Sequence, residues 1–329
     1  MIGNVSIDLS LTNIWRCWYL FIKGKRKTKE IENFVYYLEN NLYVLYKDLN
    51  CNGYYHKGYT KFRVYDSKQR TISVANIRDR IVHRLIYEYL VPIYNKTFDF
   101  DVWSCRKGKG LSDAIKRVQS LLKKNDSSFV WRADIRKFFD NIDQDILKKI
   151  IARKIECANA LTIVYEIIDS YQVSNPNSDC FKAGVGIPIG NLTSQIFANI
   201  YFDKFDRYIR NYIKPKAYVR YGDDFIIIEK NLSKLEQYRA LSRVFLAETL
   251  KVCIKDNNEV IIKTRHGLKF LGTVIYPYGK KLNKRNISRI NHRLSCKNIS
   301  SYAGLAKKIG SYKIIKYINW EILKEIKNE

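Results

Sequence analysis

Two kinds of hydrophobic pattern alternate along the chain, and each kind predicts a different element. Apolar residues recur every three or four positions in 77–94 and 192–213, which predicts a helix in the first segment and a long amphipathic helix in the second. β-Branched and aromatic residues dominate 59–75, 129–134 and 218–228, and this composition predicts strands.

Most of the remaining segments carry helical patterns. In chain order we predict two helical patterns within 1–50, a turn at 66–68 between two strands, a helix over 108–124 capped by Ser112, helical structure over 144–171, a loop over 173–184, a helix at about 233–249, a strand pair that reaches 268–276, and a basic helical tail. Strands and helices are mixed without a regular β-α-β repeat, so the predicted fold class is α+β.

The charge balance indicates the kind of partner. The 329 residues contain 59 Lys and Arg against 32 Asp and Glu, a net charge of +27, which favours a polyanionic partner. No apolar run approaches the ~20 residues of a transmembrane helix, and no secretory leader is expected, so we predict nucleic acid rather than a membrane. Basic residues concentrate in 23–29 and in 280–329, where 13 Lys and Arg stand against 3 acids and aromatic residues are interleaved.

The seven cysteines are scattered along the chain, and none forms a pair at the Cys-x-x-Cys spacing of a zinc site. This pattern predicts reduced thiols in a cytoplasmic protein and no zinc centre. The four histidines are also dispersed, so we interpret them as structural residues rather than metal ligands.

Three acids form the strongest candidate for chemistry. Gly222 precedes Asp223 and Asp224 between two strand-like runs, which predicts a hairpin with both carboxylates at its tip. Asp134 ends the run 129–134, although strand interiors disfavour aspartate. If this strand lies beside the hairpin, three carboxylates converge, and such a cluster can hold two Mg²⁺ ions about 3.5–4 Å apart. A solvated turn that happens to hold two acids is the alternative interpretation.

The order of motifs resembles the palm of a reverse transcriptase. The Asp134 motif is followed by "GVGIPIGNLTSQIFANIY", then by "YGDD" and then by "LKFLG", so that the resemblance covers roughly residues 60–275. It implies a right-hand polymerase with fingers, an antiparallel palm sheet and a short basic thumb. It also implies RNA-directed DNA synthesis with two Mg²⁺ ions, or Mn²⁺ as an alternative.

The resemblance implies roles for particular residues. Catalysis is assigned to Asp134, Asp223 and Asp224, and metal binding to these three and Ile135. The residues implied for nucleotide binding are Lys68, Arg70, Phe139, Ile189, Gly190 and Gln195. Those implied for the primer grip are Phe270, Leu271 and Gly272, and those for nucleic-acid binding by the basic tail are Lys280, Lys281, Lys284, Arg285 and Arg289.

The same resemblance divides the chain into four segments. They are a basic N-terminal helical extension over 1–58, fingers over 59–130, a palm over 131–275 with finger helices at about 144–184, and a basic thumb over 276–329. The implied partners are an RNA template, in particular a dedicated non-coding RNA, together with dNTPs and the cDNA product. An accessory protein subunit is left open.

Two other functions stay open at this point. Y-G-D-D is also the signature of viral RNA-dependent RNA polymerases, which carry a second aspartate five residues after the first acid. This chain has Phe139 there, and a bulky ring at that place would exclude a ribose 2′-hydroxyl. The second alternative is a catalytically idle RNA-binding protein, against which the three intact acids argue.

The motif "IPIGNLTSQ" indicates which group of reverse transcriptases the chain resembles. Most reverse transcriptases of group II introns and retroviruses have Gln at the position of Ile189 and end the motif in Ser-Pro, where this chain has Ser194-Gln195. This pattern, together with "SCRKGKGLSDAI", resembles the enzymes of diversity-generating retroelements. Small stand-alone bacterial reverse transcriptases of phage defence share much of the layout, so both biological settings stay open.

Overall fold

The computed structural model describes residues 5–65, 69–174, 181–182, 184–255, 259–295, 298–309 and 312–328. Helices and antiparallel strands are mixed along these ranges, which confirms the α+β prediction. Within them, no helix combines the length and the apolar character that crossing a membrane requires. The chain forms two compact units, each assembled from three separate stretches of sequence.

The elements follow one another in this order. The helices are α1 (Leu11–Ile22), α2 (Lys29–Tyr36), α3 (Leu38–Asn50), α4 (Ile77–Tyr94), α5 (Leu111–Lys124), α6 (Phe138–Asn141), α7 (Gln144–Ala152), α8 (Ala158–Asp169), α9 (Leu192–Tyr208), α10 (Leu232–Leu250), α11 (Lys284–Arg293), α12 (Ile299–Ile309) and α13 (Tyr312–Asn328). The strands are β1 (Tyr59–Tyr65), β2 (Gln69–Ala75), β3 (Phe129–Asp134), β4 (Val173–Ser174), β5 (Phe181–Lys182), β6 (Ala217–Tyr221), β7 (Asp224–Glu229), β8 (Val260–Lys263), β9 (Leu268–Phe270), β10 (Thr273–Tyr276) and β11 (Gly279–Leu282). A π-helical turn, Ile209–Ile213, follows α9, and a 3₁₀ turn, Thr264–His266, follows β8.

The first unit comprises Met1–Phe100, Ile135–Tyr208 and Ser242–Lys255 and is mainly helical. Helix α4 packs against α1, α8 and α9. Strands β1 and β2 form an antiparallel hairpin, as the sequence predicts. The entry to this hairpin is fastened to α4 by buried Asp79, which accepts hydrogen bonds from the Tyr54 hydroxyl (3.1 Å) and the Lys57 N–H (2.9 Å).

The second unit comprises Asp101–Asp134, Ile209–Leu241 and Asp256–Glu329. Its main sheet has the strand order β6-β7-β3-β8 and is antiparallel throughout, and β11-β10-β9 form a second antiparallel sheet. Alternate residues of β6 and β7 share a core with the buried side of α5 and with β9 and β10. The period-two pattern of the strands therefore buries one face of the sheet under a helix.

Several helical predictions need correction. Helix α5 begins after Gly110 and no side chain caps it, so Ser112 lies inside the first turn. The helical region 144–171 is broken into α7 and α8, and Asp143 caps α7 by accepting a hydrogen bond from the Ile146 N–H. Helix α9 is buried on most of its sides rather than amphipathic, because it contacts both α4 and α7.

Other corrections concern short elements. Residues 5–50, the described part of this N-terminal stretch, contain three helices where the sequence predicts two patterns. The predicted loop over 173–184 contains the strand pair β4 and β5, and 175–180 and 183 lie outside the described residues. The expected strand pair near 268–276 is a three-stranded sheet, and the basic tail begins with strand β11 before its helices.

Candidate active site

Strand β3 ends at Asp134, which lies near Asp223 and Asp224 at one end of the main sheet. β3 pairs with β7 on one side and β8 on the other, and Asp134 stands opposite Asp224 in the β3–β7 register. Val130, Trp131 and Ala133 are buried, so the strand is fixed by its apolar residues, and Asp134 is its last residue. The predicted adjacency of the Asp134 strand and the hairpin is therefore confirmed.

Strands β6 and β7 form the predicted hairpin around a two-residue loop, Gly222-Asp223, which is closed by the pair Tyr221 and Asp224. Gly222 has a φ of 67°, a left-handed conformation that glycine adopts without strain. Only Asp223 lies at the tip, since Asp224 is the first residue of β7. This corrects the prediction that both carboxylates lie at the tip.

Asp223 and Asp134 form a carboxyl pair. Their side chains are hydrogen-bonded to each other. Burial, and next the negative charge of Asp134, raise the pKa of Asp223 to about 7. Two carboxyl groups can share a hydrogen bond only when one of them holds a proton, so the pair requires either a proton or a cation at this point.

Asp224 has a different partner, Arg132. The Arg132 Nε donates to Asp224 Oδ1 at 2.9 Å, and its Nη2 donates to Oδ2 at 2.6 Å, so the two residues form a bidentate ion pair. Burial raises the pKa of Asp224 to about 6, and the hydrogen bonds from Arg132 oppose that rise. Sequence analysis missed Arg132, although its position two residues before Asp134 on the same face of β3 could have indicated it.

The predicted metal site can be tested against this arrangement. Within the described ranges, no group of three or more His, Cys, Asp or Glu side chains is arranged to hold a metal ion. The three acids thus divide into a carboxyl pair and an arginine-bound Asp224. The Asp134–Asp223 pair fits a hard divalent cation, because carboxylate oxygens are its preferred ligands and burial disfavours two bare charges. Ile135 has a buried apolar side chain, so only its backbone carbonyl could serve as a ligand.

In the first unit, two of the predicted nucleotide-binding residues lie against strand β2. The Ser73 N–H donates to the Ile189 carbonyl at 2.9 Å. Gly190 has a φ of 121°, and a Cβ there would lie 2.8 Å from Ile72 Cγ2, so this close approach requires glycine. Buried Asn191, which sequence analysis missed, stabilises the contact between Ile189 and β2, because its side chain donates to the Ser73 carbonyl at 2.8 Å.

The other residues predicted to bind the nucleotide lie on different elements or outside the described residues. Arg70 lies exposed on β2, opposite Val64 of β1, whereas Lys68 lies outside the described residues. Gln195 is exposed near the start of α9. Their assignment to nucleotide binding stays a prediction.

Phe138 and Phe139 have different environments. Phe138 is 2% exposed and packs edge-on against Phe202, with ring centroids 5.3 Å apart. Phe139 is only half-buried. The core aromatic of this pair is therefore Phe138, and Phe139 remains the candidate steric gate.

The predicted primer grip lies at the turn between β9 and β10. Phe270 is 1% exposed and belongs to the core, while Leu271 packs against that core. The Gly272 carbonyl accepts a hydrogen bond from Asn286 Nδ2 at 3.0 Å, which ties the turn to α11. The ring of Phe270 is therefore part of the core that supports the turn, and it is not exposed at the surface.

The basic tail presents its cations on two consecutive elements. Lys280 and Lys281 lie on β11, and Lys284, Arg285 and Arg289 lie on α11. Lys281, Lys284 and Arg285 are exposed, whereas Ile290 of the same helix is buried in a cluster with residues of α12 and α13. The helix thus separates a buried apolar side from a charged one.

Comparison with known sequences gives a family match and more distant relatives. Residues 58–275 match the family described as reverse transcriptase (RNA-dependent DNA polymerase). Protein YkfC of Escherichia coli (strain K12) is 25% identical, over 63% of this chain and 63% of its own length. The group II intron-encoded protein LtrA of Lactococcus lactis subsp. cremoris is 24% identical, over 43% of this chain and 23% of its own length. The chain spans less than two thirds of the length of these curated relatives.

Solved structures with a similar fold include two telomerases. Telomerase from Candida albicans, in complex with the TWJ fragment of telomeric RNA, has a TM-score of 0.52 at 13% identity and covers 75% of this chain and 50% of its own. Apo telomerase from Candida tropicalis, truncated from its C-terminal domain, has a TM-score of 0.51 at 16% identity, over 68% and 55% of the two chains. This likeness concerns the fold alone, and it confirms the predicted polymerase fold. Since the family match covers well over half of its residues, this chain belongs to the reverse transcriptase (RNA-dependent DNA polymerase) family.

Proposed function

We propose that this protein is an RNA-directed DNA polymerase, and one observation carries the proposal: the half-buried Asp134–Asp223 carboxyl pair at the end of β3 and the tip of the hairpin. A pair of this kind needs a cation to stay ionised at neutral pH. Bound divalent cations, Mg²⁺ with Mn²⁺ as the alternative, would activate a primer hydroxyl and neutralise the triphosphate. Family membership supports the same activity.

The residues of the chain then take distinct roles. Asp134 and Asp223 hold the divalent cations, and Arg132 keeps Asp224 oriented and partly neutralised beside them. Arg70, with Lys68, meets the triphosphate of the incoming nucleotide. Phe139 excludes a ribose 2′-hydroxyl.

Primer extension on a defined RNA template tests this function. The wild type should incorporate dNTPs in the presence of Mg²⁺, and Asp223→Asn should abolish incorporation while RNA binding survives. Asp113→Asn is the matched control, because Asp113 is an exposed acid on α5 whose carboxylate pairs with Lys116 of the same helix at 3.2 Å. Preferential use of rNTPs would instead favour the RNA-dependent RNA polymerase, and RNA binding without any incorporation would favour the idle RNA-binding protein.

We further propose that the template is a dedicated non-coding RNA. The net charge of +27 supports a nucleic-acid partner, and the exposed cations of β11 and α11 provide a surface for its phosphates. The biological setting is either a diversity-generating retroelement or antiphage defence. The sequence around Ile189 favours the first, since its Ile-Gly and Ser-Gln pattern resembles that group.

A further inference from the structure

Both backbone groups of Gly222 are bonded to side chains that come from outside the turn. The Gly222 N–H donates to Ser104 Oγ at 2.9 Å. The Gly222 carbonyl accepts a hydrogen bond from Arg220 Nη1, also at 2.9 Å. Hydrogen bonds therefore hold both the N–H and the carbonyl of Gly222, the residue immediately before Asp223. Ser104, Arg220 and Gly222 all belong to the second unit.

The segments that carry Ser104 and Arg220 run parallel to each other and are paired over a short stretch. Residues 101–104 run beside β6, with a bridge between Val102 and Arg220. The Arg220 N–H donates to the Asp101 carbonyl, and the Trp103 N–H donates to the Arg220 carbonyl, each at 2.9 Å. Ser104 is thus carried to the turn by a segment in register with the strand that holds Arg220.

This segment is anchored by a buried acid. The Asp101 carboxylate accepts two hydrogen bonds from Arg117, at 2.8 and 3.0 Å, and one from Arg210 at 3.1 Å. The side chain of Asp101 is 5% exposed, and Arg220 is fully buried. Hydrogen bonds between charged groups are stronger than those between neutral ones, so these three bonds to Asp101 hold the start of the segment in place.

We propose that Ser104 and Arg220 are positioning residues that fix the Gly222-Asp223 turn, and hence the Asp223 carboxylate, in its working place. Gly222 is the most freely rotating residue of the hairpin, so a turn without outside restraints would let Asp223 move. A displacement of about 1 Å at a reacting centre can cost about 100-fold in rate. This inference rests on the proposed polymerase function.

Ser104→Ala is the first test, because it removes the acceptor of the Gly222 N–H without adding bulk. We expect kcat for dNTP incorporation to fall about tenfold, with the KM for dNTP and the RNA affinity within about twofold of wild type. Binding of Mn²⁺ alone, followed by the electron paramagnetic resonance signal of the free ion, should weaken in parallel. Ser128→Ala is the matched control, since Ser128 is as buried as Ser104 (6% each) and in the same unit, and it should change neither readout.

Arg220→Lys is the second test, because it retains the buried charge but loses the planar donor that meets the Gly222 carbonyl. It should lower kcat and Mn²⁺ affinity in the same direction. If this variant does not fold, the Ser104 variant decides. Wild-type kcat and Mn²⁺ affinity in a folded Ser104→Ala protein would overturn the inference. A wild type that binds Mn²⁺ but never polymerises would overturn the proposed function instead, and the Mn²⁺ comparison would still decide the role of Ser104.

Discussion

The carboxyl pair makes the metal-free protein sensitive to pH. The pKa of Asp223 is about 7 and that of Asp224 about 6 in the folded chain, both raised first by burial, against about 3.9 in an unfolded chain. Between about pH 4 and pH 7 the native state therefore binds more protons than the unfolded state. By linkage, these groups lower the free energy of unfolding as the pH rises through that window.

Asp223→Asn removes one of these acids without changing its shape. In metal-free buffer at pH 8 we expect this variant to be more stable than wild type by about 2–4 kcal/mol, with the difference closing towards pH 4. Urea unfolding at a series of pH values with a chelator measures it. Asp113→Asn, on an exposed acid, should show no such trend, and a pH-independent gap for Asp223→Asn would contradict the raised pKa of Asp223 in the carboxyl pair.

Phe139 provides a prediction about sugar selection. Phe138 holds the core position of the aromatic pair, so Phe139→Ala should leave folding nearly intact while opening space for a 2′-hydroxyl. We expect rNTP use relative to dNTP to rise by a factor that corresponds to about 1–3 kcal/mol. Competing incorporation of the two sugars on one template measures the ratio. A wild type that already prefers rNTPs would show that the ring is not a gate.

Ile189 provides a prediction about fidelity and the biological setting. Its carbonyl is tied to β2 through Ser73, so the backbone is fixed and the side chain alone distinguishes Ile from Gln. An apolar side chain can only pack, whereas Gln can hydrogen-bond to neighbouring polar groups and stiffen a pocket. We expect the wild type to misincorporate opposite template adenine and Ile189→Gln to copy adenine more accurately, as measured by sequencing cDNA. Uniformly accurate copying by the wild type would leave the defence setting as the better account.

At the level of elements, the basic tail carries the clearest prediction. Lys281, Lys284 and Arg285 are exposed on β11 and α11. Neutralising these three should weaken RNA binding and reduce the slope of log affinity against log salt by roughly one unit for each phosphate that the tail no longer neutralises. Binding titrations at several salt concentrations measure the slope. Replacing three exposed lysines outside both basic segments, Lys116, Lys149 and Lys234, controls for total charge. An unchanged slope in the tail variant would mean that the three tail residues are merely solvated.

The elements that the sequence predicts well are those whose hydrophobic period decides their structure. The pattern alone gives the bounds of α4, and it gives those of the β6–β7 hairpin to within one residue at each end. The pattern fails for α9, because a helix buried on most sides has no polar face to mark its period. It also fails for Ser112, since a cap depends on the backbone geometry of the preceding residue, which a propensity does not specify.

The residues of the candidate active site could likewise be predicted only in part. Asp134 and Asp223 could be predicted because an acid at the end of an apolar run is unusual. The separate binding of Asp224 by Arg132 depends on the register of β3 against β7, and a single sequence does not contain that register. The same holds for Asn191 and for the Ser104 hydroxyl that holds Gly222, since both reach their partners from distant positions along the chain.

For the whole molecule, the excess of positive charge predicts how the protein behaves when purified. A net charge of +27 favours association with polyanions of every sequence at low salt. If the proposed dedicated RNA exists, one RNA species should dominate the copurifying nucleic acid at a salt concentration that removes non-specific RNA. Sequencing the bound RNA after low-salt and high-salt washes measures this, and a mixture that mirrors total cellular RNA at both would contradict a dedicated template.

The central position of β3 has a consequence for synthesis on the ribosome. Arg132 emerges 92 residues before its partner Asp224, and at about 5–20 residues per second this interval lasts roughly 5–20 s. During that time the apolar β3 has neither of its neighbours, since β7 and then β8 are made later. We therefore expect the nascent chain to depend on chaperones until translation has passed β8, and premature termination shortly after β3 to yield an aggregating fragment.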